Sequence, residues 1–358
     1  MFHWSEPEPP SAKANSSNET PKQPKRRKPP KTTPSTGLDY YSLPTWDEVK
    51  GTEPWPSLLL GNGFSRNIWD RFAYSSLLEA SDIEPQFLRI FEGFCTQDFE
   101  DVLGSLWRTE VVLKALETPC EEVAAAYSAI KDGLISTVHK VHPARSAIGD
   151  HVFSAIAEDV VTYSNIFTLN YDLLLYWTIM KQELTSKVKD YFWRNSAYFD
   201  VNDTDSQDTL VHFLHGALHL ETTADGRTRK RTSSAGALLN QFGTEDPGQS
   251  RPLFVSEGTT VQKLKAIRAS EYLRFCHSQL EGDRGNLVTF GVRFGNQDAH
   301  ILEALRQHGG RRVAVSVFPG SIDHREQEIL EARLSPCQVD FFDSTTHPLG
   351  LSSLTCTT

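Results

Sequence analysis

The feature that most constrains this chain is a repeated switch of period. Short apolar runs stop at a polar turn, and segments with helical spacing follow. Pro56-Ser57-Leu58-Leu59-Leu60 stops at Gly61, and Asn165-Ile166-Phe167-Thr168-Leu169 stops at Asn170. Residues 210–214 (Leu-Val-His-Phe-Leu) stop at His215-Gly216. Further apolar runs occupy 286–291, 312–318 and 338–342, with helices expected over about 297–308 and 322–333. Continuous apolar runs of this length suit strands covered on both faces. Strands that alternate with helices imply crossover connections and hence a parallel sheet. The expectation is an α/β fold with a parallel sheet of about six strands and helices on both faces.

One stretch breaks the alternation. Residues 97–118 place Phe99, Val102, Leu103 and Leu106 on one helical face, and 121–142 and 144–160 also read as helices, parted by Pro143. Three helices in succession predict an inserted helical subdomain over about 75–160. Residues 221–250 are polar and glycine-rich with an Arg/Lys run, which suits an exposed loop or hairpin. At the other extreme, nine of the nineteen prolines fall within residues 1–44. Such a segment buries too little apolar surface to offset its ordering entropy. The chain is therefore divided into a disordered, basic, proline-rich tail (1–45) and an α/β domain (46–358). The tail's run Lys25-Arg26-Arg27-Lys28 reads either as a nuclear address or nucleic-acid arm, or as a solvated flexible segment.

Charge and cysteine usage limit the function classes. The net charge is −10, but residues 1–36 carry +4, so the rest carries −14. An acidic body argues against duplex nucleic acid as the main ligand, because phosphate contacts need a basic surface. It leaves room for a nucleotide, which backbone amides grip locally. Cys95, Cys120, Cys276, Cys337 and Cys356 form no C-x-x-C pair, so no structural zinc and a reducing compartment are expected. With no signal core and no run of eighteen apolar residues, the expected location is cytoplasmic, with no membrane partner.

Three polar signatures each lie just beyond an expected strand, on the sheet edge where open parallel sheets bind ligands. In Gly61-Asn62-Gly63-Phe64-Ser65 the glycine pair can bring backbone N–H groups against a diphosphate, or can simply make a tight turn. No third glycine completes the dinucleotide fingerprint. In Thr168-Leu169-Asn170-Tyr171-Asp172, Asn170 and Asp172 can both face a crevice. Equally, Asp172 can cap the next helix and Asn170 can serve the turn. His215 can act as a base or a ribose partner, or be a structural histidine. His212, His215 and His219 also have the spacing of helical metal ligands, but the surrounding residues favour a strand, where 212 and 215 face opposite ways. Asn296 and Asp298 suit an adenine-ribose contact or helix caps.

Taken in order, Gly-Asn-Gly-Phe-Ser, Thr-x-Asn-x-Asp and His-Gly resemble the sirtuin core, with its Gly-Ala-Gly-x-Ser loop, Thr-Gln-Asn-x-Asp corner and His-Gly. Leu253-Phe-Val-Ser-Glu-Gly-Thr-Thr and Phe290-Gly-Val-Arg-Phe-Gly-Asn-Gln-Asp298-Ala-His-Ile are similar to a bacterial family, domain of unknown function 4917, with sirtuin-like cores. The resemblance covers about 290 residues in layout and implies a Rossmann-like sheet that binds NAD as substrate. It implies Asn170, Asp172 and His215 as catalytic residues. The cofactor-binding set would be Gly61, Asn62, Gly63, Phe64, Ser65, Thr168, Gly291, Asn296 and Asp298, with Ser256-Glu257-Gly258 in the same crevice.

This chain departs from protein-deacylating sirtuins in lacking four zinc cysteines. It has Phe72-Ala-Tyr-Ser-Ser-Leu-Leu where they have Gly-Ile-Pro-Asp-Phe-Arg, and Leu169 where they have Gln. Similar zinc-free domains in antiphage systems destroy NAD. The expected activity is therefore hydrolysis of the nicotinamide–ribose bond to nicotinamide and ADP-ribose, without a metal. The alternatives are a non-catalytic NAD or ADP-ribose sensor within an effector complex, and an NAD-dependent deacylase or ADP-ribosyltransferase. A homo-oligomer or a defence-system partner is expected to control a toxic activity.

Overall fold

Seven strands form one sheet in the order β10-β9-β8-β1-β2-β4-β3, and every pairing in it is parallel. They are β1 (Ser57–Leu60), β2 (Asn165–Thr168), β3 (Val188–Lys189), β4 (Thr209–Phe213), β8 (Leu287–Phe290), β9 (Arg312–Val317) and β10 (Gln338–Asp343). The computed structural model describes residues 42–192, 196–205, 207–231, 251–255 and 258–356. Nearly all of the 1–45 tail, residues 232–250 of the polar stretch, and Ser256 and Glu257 lie outside the described residues. All that is described belongs to one compact unit, Ser42–Thr358.

The six strands expected from the apolar runs are all present, and the seventh, β3, is a two-residue edge strand too short to leave a periodic signal. In chain order those six lie 3-2-1-4-5-6 across the sheet, the arrangement of dinucleotide-binding α/β folds. Leu58, Leu59, Leu60, Leu287 and Val288 are fully buried, so neither face of the central strands meets water. Covered on both faces, these strands need no in–out alternation. The strand order reverses between β1 and β8, and Leu60 aligns there with Thr168 on one side and Phe290 on the other. Gly61, Leu169 and Gly291 therefore leave the sheet side by side.

Helices occupy the rest: α1 (Trp46–Lys50), α2 (Asn62–Ile68), α3 (Tyr74–Glu79), α4 (Pro85–Gly93), α5 (Phe99–Ala115), α6 (Glu121–Val141), α7 (Asp150–Val160), α8 (Leu174–Lys181), α9 (Thr260–Ala269), α10 (Glu271–Gly282), α11 (Ala299–Arg306) and α12 (His324–Leu334). Several starts follow local chemistry. Asp98, Thr259 and Ser270 accept backbone N–H bonds at the starts of α5, α9 and α10, and Asp323 with Glu326 forms a capping box on α12. Each such cap contributes about 1 kcal/mol. Helix α9 escaped the periodicity because one of its two buried positions is a lysine, Lys263.

A second sheet of three antiparallel strands, β6-β5-β7, comprises β5 (Gly216–Thr222), β6 (Thr228–Lys230) and β7 (Arg251–Phe254). Strand β5 is buried from Gly216 to Glu221 although it carries His219 and Glu221. Its polar look misleads because Arg229 and Arg231 both pair with the Glu221 carboxylate. Among the described residues, no helix is long and apolar enough to cross a membrane.

Candidate functional site

The carboxyl rim of the large sheet carries two clusters, one at the switch point and one at the end of β4. At the switch point, the loop after β1 presses against the loop after β8. The Gly61 N–H donates to the Phe290 carbonyl, and the Gly63 N–H donates to the Gly291 carbonyl, both at 2.9 Å. A Cβ on Gly63 would lie 2.5 Å from the Gly291 Cα, and one on Gly61 would lie 2.6 Å from the Gly291 oxygen. Gly291 itself has φ +70, a left-handed backbone that favours glycine. The three glycines are thus accounted for by close loop packing, and the Gly61 and Gly63 amides expected to face a diphosphate are bonded to the neighbouring loop. Phe64 is a core residue, and the Asn62 side chain donates to the Phe72 carbonyl at 3.2 Å.

The β2 corner locks onto the same loop through side chains. The Asn170 amide donates to the Gly61 carbonyl at 2.9 Å and to Ser65 Oγ at 2.8 Å. Ser65 in turn donates to Asp172 Oδ2, while Asp172 Oδ1 accepts the Leu174 N–H at 2.9 Å. Asp172 therefore both serves the first turn of α8 and joins the network. Burial raises its pKa, opposed by the bonds from Ser65 and Leu174. The Thr168 hydroxyl accepts the Asn170 N–H at 3.1 Å. Below the corner, His142 Nε2 accepts the Leu173 N–H at 2.9 Å, and Nδ1 lies 3.0 Å from the Pro143 carbonyl. Accepting at Nε2 requires the proton on Nδ1. Burial depresses the pKa of His142 to about 4.

The second cluster draws on more of the chain. His215 follows β4, and its Nε2 lies 3.0 Å from Nε2 of His300 in α11. Beside them Lys263 of α9 pairs with Glu100 of α5 at 2.9 Å and with Asp298 at 3.0 Å. Lys263 is 1% exposed and His300 is 1% exposed. Burial, Lys263, His300 and His277 all push His215 well below its ordinary pKa, and burial with Lys263 and His277 takes His300 to about 3. Both imidazoles are neutral near pH 7. Burial raises the pKa of Glu100, against the pull of Lys263. For Lys263, burial opposes the charge, but the two carboxylates prevail and hold its pKa up.

The clusters adjoin. The Leu214 N–H donates to the Thr168 carbonyl at 3.0 Å, and the Leu218 N–H donates to the Tyr171 carbonyl at 2.8 Å. Charges of Glu100, Asp172 and Asp98, added to burial, raise the pKa of Tyr171, which lies between the two groups.

The family model described as Domain of unknown function (DUF4917) matches residues 58–349. The chain belongs to this family. The match runs from β1 past β10 and takes in both rim clusters. No curated protein matches the chain.

In this DUF4917 chain the histidines that share metal-ligand spacing part company. His212 stacks on Phe167 at 4.7 Å, and His219 stacks on Tyr176 at 4.4 Å. Neither has a partner on either ring nitrogen among the described residues. His215 instead groups with Asp298 and His300, whose ligand-type atoms lie within 4.8 Å of one another. The His215–His300 ring centroids are 5.2 Å apart. That exceeds the nitrogen contact by about two ring radii, so the nitrogens face each other along the line of centres. This is the alignment of an N–H···N bond. Two ligands of one ion would aim off that line, at a common point.

Asp298 does not cap α11 with its side chain but pairs with Lys263. Asn296 is exposed, and its backbone carbonyl accepts the Thr260 hydroxyl at 3.0 Å. His300, Lys263, Glu100 and His142 carry this site without having been singled out from sequence. Asp298-Ala299-His300, just past a strand, held the one local signal. Ser65, Asp172 and His215 are 1%, 7% and 4% exposed, so the rim is shut in this conformation. A surface cleft of about 360 Å³, lined by Ser196, Tyr198, Phe199, Asp200, Arg227, Thr228 and Glu271, includes none of these residues.

Proposed function

We propose that this chain binds NAD along the carboxyl rim of its large sheet and hydrolyses the nicotinamide–ribose bond. The observation that carries the reading is the Ser65–Asn170–Asp172 network, which ties the loop after β1 to the corner after β2, beside the β1/β8 strand-order reversal where dinucleotides bind in such sheets. Water adds across the broken bond: its oxygen joins the ribose anomeric carbon, nicotinamide leaves with the bonding pair, and one proton is released. The transition state carries positive charge on the ribose, so a carboxylate in a dry pocket stabilises it electrostatically. Asp172 supplies that carboxylate, Asn170 orients nicotinamide or the attacking water, and His215 takes the proton.

The loop Gly61–Ser65 contributes shape, because its glycine amides already bond to the β8 loop. The closed rim agrees with an activity that would be toxic if unrestrained, as in antiphage defence by NAD depletion. Opening of the rim, by assembly or by a partner, is then part of the cycle. Nicotinamide and ADP-ribose in equimolar amounts after incubation with NAD are the expected products. His215→Ala and Asn170→Ala should each lose about 10²–10⁴-fold in rate with folding preserved. Binding of NAD without products would leave a sensor, and product that depends on an added acceptor would leave a transferase. Unchanged turnover in both variants would remove these roles.

A further inference from the structure

The reaction above gives no task to His300, although its ring nitrogen meets the proposed base head-on. We propose that His300 is a positioning residue for His215, accepting a hydrogen bond from His215 Nε2–H so that Nδ1 of His215 exchanges the reaction's proton. This rests on the NAD-hydrolase reading.

The argument begins with the backbone. Gly216, at φ +74, turns β4 directly into the antiparallel strand β5, and a Cβ there would fall 2.1 Å from the Leu253 oxygen. The His215 carbonyl accepts the Val255 N–H at 2.8 Å. His215 is thus fixed at its main chain by a turn that a non-glycine residue at 216 would disrupt. Its side chain still turns about two bonds, Cα–Cβ and Cβ–Cγ, and the 3.0 Å contact to His300 Nε2 restrains both.

His300 is itself held rigidly. It lies in the first turn of α11, is 1% exposed, and stacks on His277 at 5.9 Å with the rings 16° apart. An imidazole has two nitrogens, and in the neutral ring one donates while the other accepts. With Nε2 occupied by His300, only Nδ1 remains for a ligand. The tautomer follows from the task, because a base must present a lone pair at Nδ1 and so carries its proton on Nε2. His300 then carries its own proton on Nδ1. The Gln297 backbone favours a proton on that ring, although among the described residues no aligned hydrogen-bond partner meets Nδ1.

The groups facing the pair come from four elements: Lys263 of α9, His277 of α10, Asp298 at the start of α11 and Glu100 of α5. The Lys263 ammonium beside the pair opposes any resting positive charge on it. Once His215 is protonated at Nδ1, the Nε2–H bond to His300 stabilises the imidazolium. An orienting acceptor behind a catalytic histidine acts in this way in hydrolytic triads.

The test is initial-rate kinetics of nicotinamide release by the full chain, as wild type, His300→Ala and His300→Gln, with a melting temperature for each. In His300→Ala, kcat is expected to fall about 10–100-fold with KM within about threefold, and the acid limb of kcat to move. His300→Gln, whose amide offers an acceptor at the same reach, should recover most of the loss. A kcat for His300→Ala within threefold of wild type overturns the proposal, as does an equal loss in both folded variants. If the wild type releases no nicotinamide, the hydrolase reading fails. Positioning is then decided by imidazole ¹⁵N spectra of the same proteins. A single Nε2–H tautomer of His215 that gives way to tautomer averaging in His300→Ala supports the contact. The opposite tautomer, or no change, overturns it.

Discussion

The two clusters on the rim are held by different physics. The switch-point cluster depends on backbones in contact: three glycines interlock, and one asparagine, one serine and one aspartate close a short network. The histidine cluster is built from long-range partners, with a buried lysine between two carboxylates and a pair of facing imidazoles. The first tolerates almost no added volume and contains one ionisable group. The second depends on charges that must remain matched. A rim can thus be rigid for a steric reason at one end and for an electrostatic reason at the other.

The largest expected effect tests the charged end. Lys263→Met strips two part-buried carboxylates of their partner, and removing one member of a buried pair costs about 3–5 kcal/mol. Denaturant unfolding should show most of this loss, and adding Glu100→Gln should recover part of it. A loss below about 1 kcal/mol would mean that the cluster is not held by charge.

Next comes the steric end. Gly63→Ala places a Cβ 2.5 Å from the Gly291 Cα, where backbone must move, and overpacking of this kind costs about 1–3 kcal/mol. Gly93→Ala, with nothing within 4 Å of the new Cβ, is the control and should fall within about 0.5 kcal/mol of wild type. Equal effects at 63 and 93 would refute the interlock.

Acid separates the two ends less strongly. His300 in the native chain titrates at about 3 and His142 at about 4, against about 6.5 when unfolded. Between these values the unfolded chain binds protons that the native chain refuses. The stability of each group is therefore complete above about 6.5 and is lost as pH falls toward 3 or 4. Asp159 acts oppositely: burial raises it to about 7, so its contribution is complete below about 4 and is lost as pH rises through 7. Burial raises Glu100 to about 7 as well, but with His212 and His347 likewise depressed to about 3 the four histidines outweigh the two carboxylates, and melting temperature should rise from pH 5 to 6.5. His300→Gln should flatten that rise by up to one proton, about 1.4 kcal/mol per pH unit, whereas Asn170→Ala should shift it without flattening. A slope unchanged by His300→Gln would contradict the depressed value.

The smallest effect concerns a histidine on the same strand as the turn to His215. His212 stacks on Phe167, and among the described residues neither ring nitrogen has a partner, so His212→Phe removes unsatisfied polar atoms and keeps the ring. Stability should stay within about 1 kcal/mol and NAD turnover within twofold. A large loss of turnover would show that contact with a polar partner does not separate the functional histidine from the structural one.

The six strands of the large sheet were legible because a strand covered on both faces is mostly apolar, as Leu58-Leu59-Leu60 is. Gly61, Asn170 and His215 were legible because each interrupts such a run at its end. Lys263 was not, since a lysine on a weakly apolar helix reads as a solvated residue, and pairing with Glu100 and Asp298 is what makes its burial tolerable. Glu100, 163 positions away, gave no local sign of that pairing. The glycine pair was visible, but its reason was not. The turn chemistry that suits a diphosphate also suits another loop, and Gly291 lies 228 residues from Gly63.

By itself, then, the sequence determined six strands of the large sheet, the helices α5, α6, α7, α11 and α12, and the polar residues that end β1, β2 and β4, because these follow from local period and from the burial each run demands. Tertiary structure decided the order of the strands, the partners of Gly63, and the meeting of His215 with His300 and of Lys263 with Glu100 and Asp298. Those choices rest on contacts between residues far apart in the chain. Whether a polar group is a liability or a site depends on what stands opposite it.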